Sequence, residues 1–216
     1  MRPTLSTVVL AAALSTIGMT ATGVADIIID QPTSSEGGIA SQVFGEPFAG
    51  YDCSAFDDFT IADAYNLTAL TIYGENSSTG SGDYNLDVVV RFLAGPDLGS
   101  SVIASASGVQ VGGNLLFDLT GITLGAGTYW ISAQVVRPIE PGGQWFWNTS
   151  NTINGAQALW QNPGGSFGYG SAPISIQVLG PQRYDMAFTL EGTIVTTPGT
   201  LALLGASALV GRRRRG

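Results

Sequence analysis

Apolar and polar residues alternate along most of the chain between residues 26 and 191. In the segment YNLDVVVRFLAGPDLG, one face of an extended strand would carry Leu86, Val88, Val90 and Phe92. The segment GTYWISAQVV has the same period of two. In YDMAFTLEG, the alternation predicts Met186, Phe188 and Leu190 inward, and Asp185, Thr189 and Glu191 outward. These patterns are typical of strands that are covered on at least one side.

Similar short segments recur every ~10 to 15 residues between turns rich in Gly, Asn, Asp and Pro. The further predicted strands are 26–29, 56–61, 67–73, 101–109, 115–119 and 144–148. No segment between the two ends has the length and period of an amphipathic helix. The pattern predicts an all-β fold, a single jelly-roll-like β-sandwich of about eight to ten strands. ENSSTGSGD at residues 75–83 is expected to be an exposed hairpin loop.

The N-terminus has the pattern of a secretory signal peptide. Arg2 supplies a positive charge, residues 8–19 are apolar, and Gly23-Val24-Ala25 offers small residues before Asp26. We therefore predict a signal helix within residues 1–25 and a mature chain that starts near Asp26. The alternative is a buried N-terminal helix, which the small-residue site and the abrupt change to acidic, strand-like sequence disfavour.

The C-terminus combines a short apolar run with four arginines. Residues 201–210 are too short to span a bilayer, which takes roughly 20 residues as a helix. The arginines that follow fit a positive stop at the cytoplasmic face. We expect a short apolar helix that inserts transiently into the membrane.

The order of these features resembles the PEP-CTERM sorting signal of bacterial exported proteins. Its elements here are Thr-Pro-Gly-Thr, then Leu-Ala-Leu-Leu-Gly, a small and apolar run, and the terminal arginine cluster. Pro198 is followed by Gly199, where the family usually has glutamate and a second proline. The resemblance covers about the last twenty residues. It implies processing by an exosortase-like membrane enzyme and association with the cell envelope and extracellular polysaccharide.

The resemblance also implies which residues form the sorting signal. These are Pro198, Gly199 and Thr200 as the recognition region, and Arg212, Arg213, Arg214 and Arg215 as the cytoplasmic stop. The chain then divides into a signal peptide (1–25), a β-sandwich domain (26–192) and a sorting and anchor segment (193–216).

Charge limits the partners of the exported part. All sixteen acidic residues lie between Asp26 and Glu191, with only three of the eight arginines, so this region carries a net charge of −13. Such a surface repels phosphate backbones, which excludes nucleic-acid binding, and it disfavours docking on anionic lipid.

Residues suited to catalysis are few. The chain has no histidine and one cysteine, so it lacks the usual base for a serine or cysteine nucleophile and the commonest zinc ligand. We expect Cys53 to be a small buried hydrophobic residue, with a reactive or intermolecular thiol as the alternative.

A carboxylate group lies in YDCSAFDDF. Asp52, Asp57 and Asp58 could bind Ca²⁺, or two of them could act as glycosidase acid and base. Neighbouring residues on a strand point to opposite faces, so Asp57 and Asp58 are poorly placed as a catalytic pair. The favoured interpretation is structural, with one aspartate fixing a turn and the other solvated, and we predict no cofactor.

Tryptophans form the other candidate site. Trp145 and Trp147 share a face of a predicted strand, and with Trp160 they could stack on sugar rings if exposed. A tryptophan pair in the core explains the same spacing. The sequence thus predicts a non-enzymatic, exported surface or matrix protein, with an exopolysaccharide-binding module as the alternative and a polysaccharide hydrolase third.

Overall fold

The computed structural model of the protein describes residues 24–77 and 82–196. Helical segments in this part are single short turns, at Ala49–Tyr51, Gly82–Tyr84, Ile139–Gly142 and Ile176–Val178. The strands in chain order are β1 (Asp26–Gln31), β2 (Gly38–Ala40), β3 (Gln42–Val43), β4 (Ser54–Ile61), β5 (Tyr65–Ile72), β6 (Gly74–Asn76), β7 (Asp87–Leu93), β8 (Val102–Ser107), β9 (Val109–Val111), β10 (Asn114–Asp118), β11 (Thr123–Leu124), β12 (Gly127–Val136), β13 (Trp145–Ser150), β14 (Leu159–Gln161), β15 (Ile174–Ser175), β16 (Asp185–Met186) and β17 (Phe188–Ile194).

Two large sheets and one small sheet contain these strands. The first has the order β1-β17-β5-β10-β9, with β11 also paired to β5. The second has the order β15-β14-β4-β12-β7-β8, and β3 joins it through a parallel pairing with β12. In the small sheet, β13 pairs with β2, β6 and β16. All pairings except that of β3 are antiparallel.

The inner faces of the two large sheets share one hydrophobic core. The ring of Phe59 on β4 lies 6.2 Å from that of Phe188 on β17, and both side chains are fully buried. Phe92 on β7, which is separated from β4 by β12, contacts Phe59 edge to face. The alternation in the sequence produces this core because every second side chain of a strand points to the same face. This architecture is consistent with a β-sandwich and confirms the all-β prediction.

One continuous stretch of chain belongs to both large sheets. β8 pairs with β7 in the second sheet, and after Gly108 the chain continues as β9, which pairs with β10 in the first. A Cβ on Gly108 would lie 2.5 Å from the ring of Phe117 and 2.6 Å from the carbonyl oxygen of Leu116. Glycine is therefore required where the strand changes sheets.

The structure corrects three details of the predicted pattern. Asp185 and Thr189 were expected to point outward. Asp185 is fully buried, and Thr189 is only 8% exposed. Leu86, expected to share a strand face with Val88, Val90 and Phe92, precedes β7 and is exposed. The predicted loop at 75–83 begins as a strand, because β6 pairs with β13.

The predicted signal helix within residues 1–25 and the predicted apolar helix of the C-terminal segment lie almost entirely outside the described residues. Within the described part, no helix is long and apolar enough to cross a membrane.

Candidate functional site

Three loops form an aromatic pocket on the surface. The pocket has a volume of about 240 Å³ and is lined by Phe44, Phe48, Tyr51, Ile139, Gln144 and Phe167. The first three residues come from the loop between β3 and β4, the next two from the β12–β13 connection, and the last from the loop after β14. Because these loops are far apart in the chain, the pocket exists only after the sheets have formed.

The rings at this site contact one another edge to face and are partly open to solvent. The rings of Tyr51 and Phe167 lie 5.1 Å apart at an interplanar angle of 85°. Phe167 also contacts Trp160 at 5.4 Å, and Tyr169 contacts the same tryptophan at 6.1 Å. Phe48 is 41% exposed, Tyr51 40% and Tyr169 47%. The pocket thus presents aromatic surface to solvent above a buried tryptophan.

Buried Asn162 fixes the relative position of two of these loops. Its Nδ2 donates to the carbonyl oxygens of Gly50 and Asp52, at 2.9 and 2.8 Å. Its Oδ1 accepts from the backbone N–H of Phe167 at 3.1 Å. A further hydrogen bond, from the N–H of Phe44 to Asp52 Oδ1 at 2.7 Å, closes the first loop on itself. The pocket is therefore built into the fold by side-chain hydrogen bonds to backbone groups.

The lining of the pocket is electrically neutral. None of its six residues is an Asp, Glu, Lys, Arg or His. Exposed Glu46 and Glu140 follow Phe44 and Ile139 closely in the same loops. A ligand that suits this lining has an apolar face and no negative charge, since the nearby carboxylates and the net charge of the domain repel anions.

The three tryptophans proposed for sugar binding are not exposed. Trp145 and Trp147 have no accessible surface, and Trp160 is 3% exposed. Their indole N–H groups donate to the carbonyl oxygens of Gly113 (2.7 Å), Ala187 (2.8 Å) and Ala40 (2.9 Å). The prediction of an exposed platform on these residues is wrong. The face of β13 that carries these two tryptophans packs on the core, so side chains that share a strand face can be core residues just as well as surface residues.

Three carboxyl groups lie buried where β4 meets β16. Asp57 Oδ2 accepts from Gln31 Nε2 (2.9 Å) and from the N–H of Met186 (2.7 Å), and its Oδ1 accepts from the N–H of Asp58 (2.9 Å). Asp58 accepts from the N–H of Ala156, and Asp185 accepts from the N–H of Asn154, both at 2.7 Å. These bonds tie β4 and β16 to the loop between β13 and β14.

Burial raises the pKa of each of these carboxyl groups above its ordinary value. For Asp57 the pKa rises far, first through burial and second through the neighbouring charge of Asp185, while the three hydrogen-bond donors oppose the rise. The pKa of Asp58 and that of Asp185 are raised in the same direction, chiefly by burial. The expectation that one of Asp57 and Asp58 would be solvated is wrong, since both are buried.

The structure does not assemble Asp52, Asp57 and Asp58 into one site. Asp52 holds the N–H of Phe44 at the aromatic pocket, whereas Asp57 and Asp58 contact the other loops described above. Across residues 24–77 and 82–196, no three His, Cys, Asp or Glu side chains are grouped so that they could hold a metal ion.

Cys53 is fully buried, as predicted, and its thiol donates to the carbonyl oxygen of Ala40. Burial raises the pKa of this thiol to about 12, so little thiolate exists at neutral pH.

The predicted sorting residues Pro198, Gly199, Thr200 and Arg212 to Arg215 lie outside the described residues. No family model matches the chain, and no curated protein is significantly similar to it.

Proposed function

We propose that this protein is an exported, non-enzymatic component of a bacterial cell surface or extracellular matrix. A signal peptide would deliver it, and its C-terminal segment would sort it through an exosortase-like membrane enzyme. The observation that carries the proposal is where the folded domain begins and ends relative to the two predicted signals. β1 begins at Asp26, directly after the predicted cleavage site, and β17 ends at Ile194, four residues before Pro198.

The pairing of the first and last strands supports this organisation. β1 lies antiparallel to β17, and Asp26 is opposite Gly192. The chain therefore enters and leaves the domain at the same end of one sheet. Cleavage at either end would leave the strand pairs and the core intact, since the core residues lie between Ile29 and Leu190. We further propose that the sandwich is jelly-roll-like in topology.

In the proposed mechanism, Leu201 to Val210 pauses in the membrane and Arg212 to Arg215 hold the cytoplasmic side. Pro198, Gly199 and Thr200 would then be presented to the processing enzyme outside. The acidic domain favours release from the membrane surface, because its net charge of −13 is repelled by anionic lipid.

Intact-mass analysis tests this proposal. The full chain and its Pro198→Ala variant are expressed in a bacterium that carries an exosortase and in an otherwise identical strain without it. The control is Pro163→Ala, which changes the exposed Pro-Gly of a domain loop instead of the Pro-Gly of the tail. The mass from envelope and medium should match a chain from near Asp26 to a point before Leu201. Pro198→Ala should keep its tail and Pro163→Ala should lose it.

Two outcomes would contradict the proposal. A wild-type mass that includes the tail and arginines in the exosortase strain would exclude sorting by cleavage. A mass that begins at Met1 would exclude export through the N-terminal signal.

The aromatic pocket favours a second candidate function, which is binding of a neutral polysaccharide. We propose that a sugar ring would stack on the partly exposed ring of Tyr51 and contact Phe48, whose ring is tilted by 53° to it, while the side-chain amide of Gln144 would bond its hydroxyl groups. This places the site on different residues from the three tryptophans. No carboxylate lines the pocket, and Asp57 and Asp185 are fully buried, so hydrolysis is not part of the proposal.

Binding to an array of neutral glucans, galactans and mannans tests this candidate. Tyr51→Ala should weaken binding by about tenfold, the upper range for one lost aromatic contact. The control is Val178→Ala, because Val178 is exposed and lies outside the pocket. No binding by the wild-type protein, or equal binding by both variants, would exclude the pocket as a sugar site.

A further inference from the structure

The outer strands of the two large sheets differ in how they are protected from pairing with another chain. An exposed strand edge has unpaired N–H and C=O groups, and proteins commonly block it with charge, proline, short length or a covering loop. β1 carries Asp26 and Asp30, and β15 has two residues. β9 has three residues, and the side chain of its Gln110 is hydrogen-bonded to Asn76 and Asn85.

β8 has none of these protections within the described part of the chain. It ends the strand order of the second sheet, and its sequence VIASAS contains no charged residue and no proline. Its exposed apolar side chains include Val102 and Ile103, which are 54% and 49% exposed. The absence of charge extends from Leu98 to Phe117, in an exported region whose net charge is −13. This edge therefore carries no charge of its own that would repel a second copy.

The backbone of β8 shows which of its groups point away from the sheet. The N–H of Gly108 donates to the carbonyl oxygen of Val88 on β7 at 2.7 Å. In an antiparallel pair, the residues whose backbone groups face the neighbouring strand alternate with those whose groups face away. Ala106 and Ala104 therefore face β7, in register with Val90 and Phe92, whereas Ser105 and Ser107 direct their N–H and C=O groups outward.

We propose that β8 is a self-association edge, at which two copies of this chain pair antiparallel about a twofold axis centred on Ser105. Ser105 of one copy then lies opposite Ser105 of the other, and each donates its N–H to the carbonyl oxygen of its counterpart. Such a contact is isologous, so it closes as a dimer. The second sheets of the two copies become one continuous sheet across the interface. This inference does not depend on how the chain is sorted.

Small side chains suit this pairing. Around the axis, Ser105 lies opposite Ser105 of the other copy, and Ala104 lies opposite its Ala106. No bulky side chain therefore separates the two backbones. Ile103 lies opposite Ser107, which places apolar surface on both sides of the axis. An extended segment of a different protein could also pair with the edge, but it would not produce a dimer of the pure chain.

Sedimentation of the full chain in a density-matched mild detergent tests the proposal. Wild type, Ser105→Ala and Ser105→Pro are compared across a dilution series. Proline removes the outward N–H that this position would donate, and it is tolerated at an edge where that group faces solvent. Wild type and Ser105→Ala should form dimers. Ser105→Pro should raise the dissociation constant about 20-fold or more, since each dimer loses two hydrogen bonds worth roughly fivefold each.

The ends of the chain are identical in the three proteins, so association through the apolar ends would affect all three alike. Equal association of all three, or monomers throughout, would overturn the proposal. Circular dichroism establishes whether Ser105→Pro keeps its strands.

Disulfide capture gives a second, independent test that does not require the proline variant to fold. Opposite residues that exchange hydrogen bonds in an antiparallel pair have Cα atoms ~5.5 Å apart, within the range of a disulfide. Under mild oxidation, Ser105→Cys should give covalent dimers, whereas Cys53 is buried and stays unreactive. The matched control is Ser107→Cys on the same strand. In the proposed pairing, Ser107 lies opposite Ile103 of the other copy, so the two Ser107 residues are four positions apart along the strand. Equal crosslinking of both variants, or none, would overturn the proposed pairing.

Discussion

Three buried carboxyl groups join strands of the domain to a neighbouring loop. Asp57, Asp58 and Asp185 are all buried, and the pKa of each is raised chiefly by loss of solvent. Backbone N–H groups satisfy most of their oxygens, so they hold loops in place instead of facing a ligand. Such groups make the stability of the fold sensitive to pH.

We expect the free energy of unfolding to fall as the pH rises from about 4 towards neutrality. The ordinary pKa of these groups is 3.8 and their pKa in the folded state is higher, so the folded protein holds more protons in this range. Asp57→Asn should flatten the dependence by up to about 1.4 kcal/mol per pH unit, the slope for one proton. Urea unfolding at a series of pH values measures this slope.

Asp118→Asn serves as the control. Asp118 is exposed, and hydrogen bonds from Thr120 lower the pKa of its carboxyl, so its removal should leave the slope above pH ~4 unchanged. Stability that rises with pH over this range in the wild-type protein would contradict the assigned direction.

At the scale of elements, β13 is the strand that organises the small sheet. It pairs with β2, β6 and β16, and its tryptophans fill the space beneath them. The indole of Trp147 contacts Phe188 at 6.4 Å and donates to Ala187. The face of β13 that carries Trp145 and Trp147 packs on the core, which explains why these two tryptophans do not reach solvent.

Trp147→Ala should lower the free energy of unfolding by about 3–5 kcal/mol, because it leaves a large cavity and removes the donor to the Ala187 carbonyl. Phe146→Ala, on the opposite face of the same strand and half-buried, should cost less. Urea denaturation with fluorescence and circular dichroism measures both. Equal and small losses for the two variants would show that Trp147 is not a core residue.

At the scale of the whole molecule, topology and charge act together. The first and last strands are neighbours, so both ends leave the domain from one end of one sheet. The net charge of −13 in residues 26–191 makes copies of the domain repel one another. The proposed sorting and the proposed pairing therefore use separate parts of the domain: the end of the β1–β17 pair and the edge of the second sheet.

Local alternation predicted most of the long strands. β4, β5, β7, β10, β12 and β17 each overlap a predicted segment. The alternation is clearest where one face of a strand packs on the core, as in β7 and β10, whereas β4 is buried on both faces. The short strands β2, β3, β6, β11, β14 and β15 were missed. Two or three residues carry no measurable period, and these strands exist only because a longer strand lies beside them.

The sequence by itself determined the all-β class, the burial of Cys53 and the acidic character of the domain, since these follow from composition and local period. Tertiary structure decided where the aromatic residues went. Tyr51 and Phe167 meet where Asn162 joins their loops, and Trp145 and Trp147 are buried because the face of β13 that carries them packs on the shared core. Asp185 looked like a surface residue of an alternating strand, yet it is buried beside Asp57. Local sequence encodes which face a side chain takes, but what covers that face depends on strands distant in the chain.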